Sequence, residues 1–197
     1  MLLAFVALLF PAFADSPLTS TNFSDAYQNE PMVAKAAAAN GILTEELAAY
    51  LADARQPIDV KMAVINRLSW SFDGKANAAV FRQYLLGHGY KSDKDFKKRG
   101  KAHEFIAMAY LRALDNYFDV QEAIDWADLA LKKDSKSYTV QLIAALIKAQ
   151  QAMDTDWCRV YRLTDAVRTN ELLTGDMKEE ASAIIFDYMG LYADSCN

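Results

Sequence analysis

The chain has 197 residues, 53% of them hydrophobic, and its 21 Lys and Arg against 26 Asp and Glu give a formal charge of −5. That apolar share excludes a disordered chain, and seven glycines with four prolines are too few for a β-sandwich or barrel that breaks about every 8–12 residues. Two cysteines cannot build a disulfide-dense mini-domain or the usual four-ligand zinc site, and mild acidity argues against a general nucleic-acid binder.

Residues 1–14 read MLLAFVALLFPAFA, an uncharged apolar run closing on Ala12-Phe13-Ala14. Small residues at −3 and −1 before Asp15 suit a signal peptidase, and Pro11 breaks the helix just upstream. The run is shorter than the about 20 apolar residues of a membrane span. The expectation is a signal peptide cleaved after Ala14, with export to a periplasm or the exterior of a protein that is not membrane-embedded.

Residues 15–30 read as a polar lead-in, with Thr21 placed to cap a short turn through Tyr27. Residues 31–197 read as a single all-helical domain. Pro31 suits a first helical position and Asn40-Gly41 a stop. Thr44 is placed to cap a second helix carrying Leu47, Tyr50 and Leu51, so the two read as a short antiparallel pair. Asp59 is the expected N-cap of a helix with Met62, Val64, Ile65 and Leu68, running to about Trp70. Asp73-Gly74 turns the chain. Ala76, Val80, Phe81, Tyr84 and Leu85 then form a 3.6-period stripe, stopped by Gly87 and Gly89.

Ser92 is the expected cap of a long helix in which Phe105, Ile106, Ala109, Tyr110 and Ala113 share a face. After a turn at 115–119, Asp119 with Glu122 starts a helix carrying Val120, Ala123, Ile124, Ala127 and Leu131. The pattern repeats with Leu142, Ile143, Leu146 and Ile147, a turn at Asp154–Asp156, then Trp157, Val160, Tyr161 and Leu163. A last helix is expected from about Asp176. An offset of 37 residues pairs Phe105 with Leu142, Ile106 with Ile143, Val120 with Trp157 and Ala123 with Val160. Hairpins repeated this way cover each other's apolar flanks by stacking. The expected fold is therefore all-α: stacked antiparallel hairpins, a short α-solenoid, with a C-terminal capping helix.

Ala123-x-x-x-Ala127-x-x-Ala130-Leu131, after a helix ending near Leu114, resembles the second helix of a tetratricopeptide repeat. The resemblance covers Phe105–Leu131, with an echo at Leu142–Val167. It departs from the family at Leu111, in the lack of a closing proline after Leu131, and in its period, which is about 34 in the family. The resemblance is architectural, and it implies a groove that binds a peptide or partner protein. The segment Lys61–Phe81 also resembles uncharacterised exported bacterial proteins.

No catalytic, cofactor or metal site follows from the sequence. His103-Glu104 opens like a metalloprotease H-E-x-x-H, but Ala107 stands at the fifth position. His88 lies between two glycines and reads as a solvated histidine at a helix end. Gly87–Ser92 lacks the strand and third glycine of a dinucleotide loop. Asp119, Glu122, Asp125 and Asp128 recur every third residue, a spacing that drifts by about 60° per step and reads as a solvated face. Lys97, Lys98, Arg99 and Lys101, with Lys91 and Lys94, form a basic cluster that suits an anion or an acidic partner, while Asp93 and Asp95 offer Lys97 and Arg99 pairs at i, i+4. Trp70, Trp126 and Trp157 are candidates for stacking on sugar rings but at helical spacing read as core, with Trp126, between Asp125 and Asp128 beside its stripe, the exception.

Cys158 falls at the start of one helix and Cys196 past the end of the last. If those helices run antiparallel the two sulfurs meet. A bridge would close a loop of about 39 residues, worth roughly 4 kcal/mol in the chain-entropy model, and export supplies the oxidising compartment. The expected function is binding of a partner protein or peptide, without catalysis. The alternative is a carbohydrate or small molecule in an aromatic cleft between hairpins, and an enzyme ranks third. Partner binding predicts an exposed, contiguous aromatic or charged face and no deep cavity, whereas sugar or small-molecule binding predicts an aromatic-lined cleft. Oligomeric state does not follow from these residues.

Overall fold

Pro31 opens α1 (Pro31–Ala38), and Asn40 and Gly41 end it at φ 51° and 80°, the left-handed turn that favours these two residue types. The Thr44 hydroxyl accepts from Leu47 N–H to cap α2 (Glu45–Ala52). The computed structural model describes residues 15–153 and 155–197. The expected signal peptide, its cleavage after Ala14 and the Asp154 end of the expected turn lie outside the described residues. Eight further α-helices follow: α3 (Ile58–Leu68), α4 (Asn77–His88), α5 (Asp93–Arg99), α6 (Ala102–Asp115), α7 (Gln121–Lys133), α8 (Tyr138–Ala152), α9 (Trp157–Arg168) and α10 (Glu179–Met189). Two 3-10 helices, Phe23–Tyr27 and Gly190–Cys196, complete them. The described residues contain no β-strand, only an isolated bridge between Ser137 and Thr174. The fold is all-α.

Several starts and stops differ from the sequence reading. Thr21 caps nothing, because its hydroxyl turns back to the Pro17 carbonyl. Asp59 lies in the first turn of α3 rather than at its N-cap, which is Pro57, and its carboxylate accepts from Tyr27 Oη instead. The long helix expected from Ser92 is two helices. Ser92 does cap α5, but the chain breaks at Gly100, where a Cβ would lie 2.5 Å from the Phe105 ring and 2.8 Å from the Phe96 carbonyl. Gly87 does not stop α4, which runs on through it to His88. Asp176 starts no helix. It serves α8 instead, accepting from Thr139 N–H at 2.8 Å while α10 begins at Glu179.

The 37-residue repeat appears directly in the element bounds. Shifted by 37, α6 lands on 139–152 and α7 on 158–170, against Tyr138–Ala152 for α8 and Trp157–Arg168 for α9. Phe105, Ile106, Ala109 and Tyr110 are buried, as are Leu142, Ile143, Leu146 and Ile147. The pairing of Val120 with Trp157 fails, since Val120 is buried and Trp157 is exposed.

Hairpins α6–α7 and α8–α9 stack through α7 on α8 and α6 on α8. Contacts also reach beyond adjacent hairpins. Helix α6 is the hub, packing on α2, α3, α4, α7 and α8, while α1 lies more on α3 than on α2. Helix α10 touches α9 but rests chiefly on the 3-10 turn Phe23–Tyr27, so the last helix packs back on the first described turn. The polar lead-in is thereby part of the core: Leu18, Phe23 and Tyr27 are buried. Asn66 ties it down, accepting from Ser24 N–H and donating to the Thr21 carbonyl and Tyr110 Oη at 2.8–2.9 Å.

Candidate functional site

Two surface features stand at opposite ends of α4. At its N-terminal end the loops α3–α4 and α6–α7 meet. The buried Asp115 carboxylate accepts from Asn77 N–H at 3.1 Å and Ala78 N–H at 2.8 Å, which caps α4. The Asp115 carbonyl accepts from Lys75 N–H, and the Lys75 ammonium reaches the Leu68 and Ser69 carbonyls. Burial raises the Asp115 carboxyl above its ordinary pKa, and its two backbone donors pull the other way. Held by this lattice, Phe72 and Phe118 meet edge to face with ring centres 5.7 Å apart, although they are 72% and 68% exposed. Tyr117 lies under Phe118 at 4.2 Å, and Trp70 meets Tyr117 edge-on at 5.1 Å. Four aromatic side chains thus form one contiguous patch, two buried or half-buried and two presented to solvent.

At the C-terminal end of α4 lies a cleft of about 590 Å³ between α2, α4 and the start of α6. Its walls carry Asp53, Arg55, Tyr84, His88, Tyr90, Arg99, Lys101 and Glu104. The Tyr90 hydroxyl donates to Glu104 Oε2 at 2.5 Å, and Lys101 N–H donates to the same oxygen at 2.8 Å. Burial and the adjacent Glu104 carboxylate push the Tyr90 phenol well above its ordinary range. Asp53 is held well below the usual carboxylate range by hydrogen bonds from Arg55 and Gln56.

Behind this wall sits a residue that the sequence reading did not single out. Lys61 of α3 is 0% exposed and its ammonium has no hydrogen-bond partner. Burial pushes it down to about 8, against the pull of Asp53 and Glu104 and with a further push from Lys101. One signal was available: Lys61 stands four before Ile65 and seven before Leu68, on the buried face of its helix.

The basic cluster does not form one surface. Arg99 pairs with Asp95, as expected, donates to the Gly89 carbonyl and lies over the Tyr90 ring, so with Lys101 it faces the cleft. Lys97 does not pair with Asp93, which binds Arg82 from α4 instead. It lies over the Trp126 ring at 5.1 Å, in a separate depression with Arg112 and Glu122. Lys98 is exposed, as are Lys91 and Lys94.

His88 stacks on Tyr84 at 4.1 Å, with Nδ1 on the Tyr84 carbonyl. His103 Nε2 bonds the Ala52 carbonyl that ends α2, and burial, then Lys61, lower its pKa. The expected acidic face is divided: Glu122 pairs with Arg112, Asp128 with Lys148, and Asp125 accepts from Gln121. Among the described residues no group of three His, Cys, Asp or Glu side chains converges as a metal site would require. Trp126 is buried against Phe96 and Phe105, Trp70 is half-buried, and Trp157 is exposed beside Tyr192. Cys158 and Cys196 stand at disulfide distance, with Cα atoms 4.6 Å apart. No family model, curated protein or solved structure matches this chain.

Proposed function

We propose that this is an exported protein that binds a partner protein through the Phe72–Phe118 face. The carrying observation is the pair itself, two large apolar rings in contact with each other and open to water. Single exposed apolar residues are ordinary on a surface, whereas contiguous aromatic patches mark interfaces. Aromatic anchors contribute most when little ordering remains to be done on binding, and here Asp115 and Lys75 hold both loops beforehand. Export is supported by the apolar leader of the sequence and by the cysteine pair, since disulfides persist in oxidising compartments. No helix among the described residues is long and apolar enough to cross a membrane.

A photo-crosslinking residue placed at 72 or 118 in producing cells tests the reading. It should trap one defined protein that the same group at exposed Lys98 does not trap. The purified partner should bind the wild-type chain at least tenfold more tightly than the Phe72→Ser, Phe118→Ser double variant. Equal affinity, or no adduct above the Lys98 control, overturns the proposal.

A further inference from the structure

The cleft at the other end of α4 has an unbalanced set of charges. Its two acids are already engaged: Asp53 with Arg55 and Gln56, Glu104 with the Tyr90 hydroxyl and the Lys101 N–H. Arg99 is neutralised by Asp95, leaving its guanidinium at the rim. Two ammonium groups then remain without an ion pair. Lys101 lines the cleft, and Lys61 lies wholly buried close enough to feel Asp53, Glu104 and Lys101, all three of them cleft residues. A buried charge without a hydrogen bond is among the most costly features a fold can carry. Asp53 and Glu104 offset part of it through space, but among the described residues none gives the Lys61 ammonium a hydrogen bond or an ion pair.

We infer that this cleft is a binding site for a small molecule bearing an oxyanion, carboxylate or phosphate, which supplies the counter-charge that Lys61 and Lys101 lack. The volume, about 590 Å³, is that of small-molecule sites rather than of a monatomic ion, and such sites combine a concave wall with a few fixed polar groups. The Arg99 fork is taken by Asp95 and the Gly89 carbonyl, so at the rim only its Nη1 donors remain for the oxygens of either group. The site lies roughly 16 Å along α4 from the aromatic face, so it stands or falls independently of partner docking. Lys61 lies outside the cleft lining, so it senses a ligand through space, and its depressed pKa of about 8 gives the site a reporter, because an anion bound in the cleft raises it again.

The full chain, labelled at the lysine Cε, is titrated by NMR with inorganic phosphate, succinate and citrate, and with glucose and sodium chloride as controls. Saturable movement of the Lys61 and Lys101 signals is expected with at least one oxyanion and with neither control, together with a Lys61 titration displaced upward by about one pH unit or more. Comparison of the phosphate and carboxylate arms identifies the head group. Lys101→Ala is expected to weaken binding at least fivefold. Lys61→Met should weaken it as much while leaving the thermal midpoint equal or higher, which separates loss of the site from loss of fold. Lack of saturation with all three anions, an equal response to chloride, or undiminished binding by Lys61→Met overturns the inference.

Discussion

Lys61 lies on the side of α3 that packs into the protein, where its four methylenes fill core space and its charge does not. The sign of its effect follows from the two states. The unfolded chain holds the proton up to the ordinary pKa of 10.5, the folded chain only up to about 8. Between those values the unfolded state binds more protons, so stability rises with pH across that window. Well below pH 8 the full penalty applies, on the order of 3 kcal/mol. Lys61→Met keeps the volume and removes the charge. In a buffer free of phosphate and carboxylates, urea unfolding at pH 7 should show the variant more stable by roughly 1–3 kcal/mol, and the difference should shrink towards pH 10.5. A variant less stable at pH 7 contradicts this. Single residues are where the sequence was hardest to read. A lysine beside an apolar stripe ordinarily points outward, and only its i, i+4, i+7 relation to Ile65 and Leu68 hinted otherwise. Trp126 likewise stands beside acids in sequence, yet Phe96, from the neighbouring short helix, covers its ring.

Elements were more legible than residues, because capping is local chemistry. Thr44 and Ser92 act as the caps their positions suggest, and Asp156, at the end of the expected turn, caps α9, each accepting from an N–H three residues on. The failures are caps supplied from far away in sequence. Helix α4 starts at Asn77 because Asp115, 38 residues later, accepts from its first N–H groups, and no window around Asn77 contains that information. The break at Gly100 is also non-local in cause, since it is the Phe105 ring that leaves no room for a Cβ. Asp115→Ala removes the cap and leaves two N–H groups facing apolar surroundings. A loss of about 2–3 kcal/mol is expected from the cap and the unmet donors, seen as a lower denaturation midpoint with an unchanged slope. Because the same residue joins the two loops, the Phe72 and Phe118 ring resonances should broaden or move in the folded variant. Wild-type stability, or unchanged ring signals, would show that the loops do not depend on this carboxylate.

At the scale of the whole molecule, the repeat pattern foretold the two stacked hairpins but not the way the chain closes on itself. Tyr27 joins the three regions involved. Its hydroxyl donates to Asp59 in α3 and accepts from Lys178 N–H just before α10, while the Lys178 ammonium lies 4.5 Å above its ring. Burial and the nearby carboxylates raise that phenol far above its ordinary range, so it remains a donor throughout the physiological range. Such a junction leaves no periodic trace in the sequence. The Cys158–Cys196 approach is expected from the sequence on the condition that the last two helices run antiparallel, but it is the 3-10 helix Gly190–Cys196, more than α10, that packs on α9 and brings the sulfurs together. The link fixes the 3-10 helix Gly190–Cys196 to the start of α9. The Cys158→Ser, Cys196→Ser variant is expected to lose about 2–4 kcal/mol of global stability. Hydrogen exchange should be selectively faster at 190–197, where Tyr192 and its bond to Tyr188 hold the segment in place of the sulfurs. Protection in α6, the hub of the packing, should fall only by the global amount. Equal exchange at 190–197 in the two proteins would mean that aromatic packing alone holds the C-terminal segment and that the bridge acts solely on the unfolded chain.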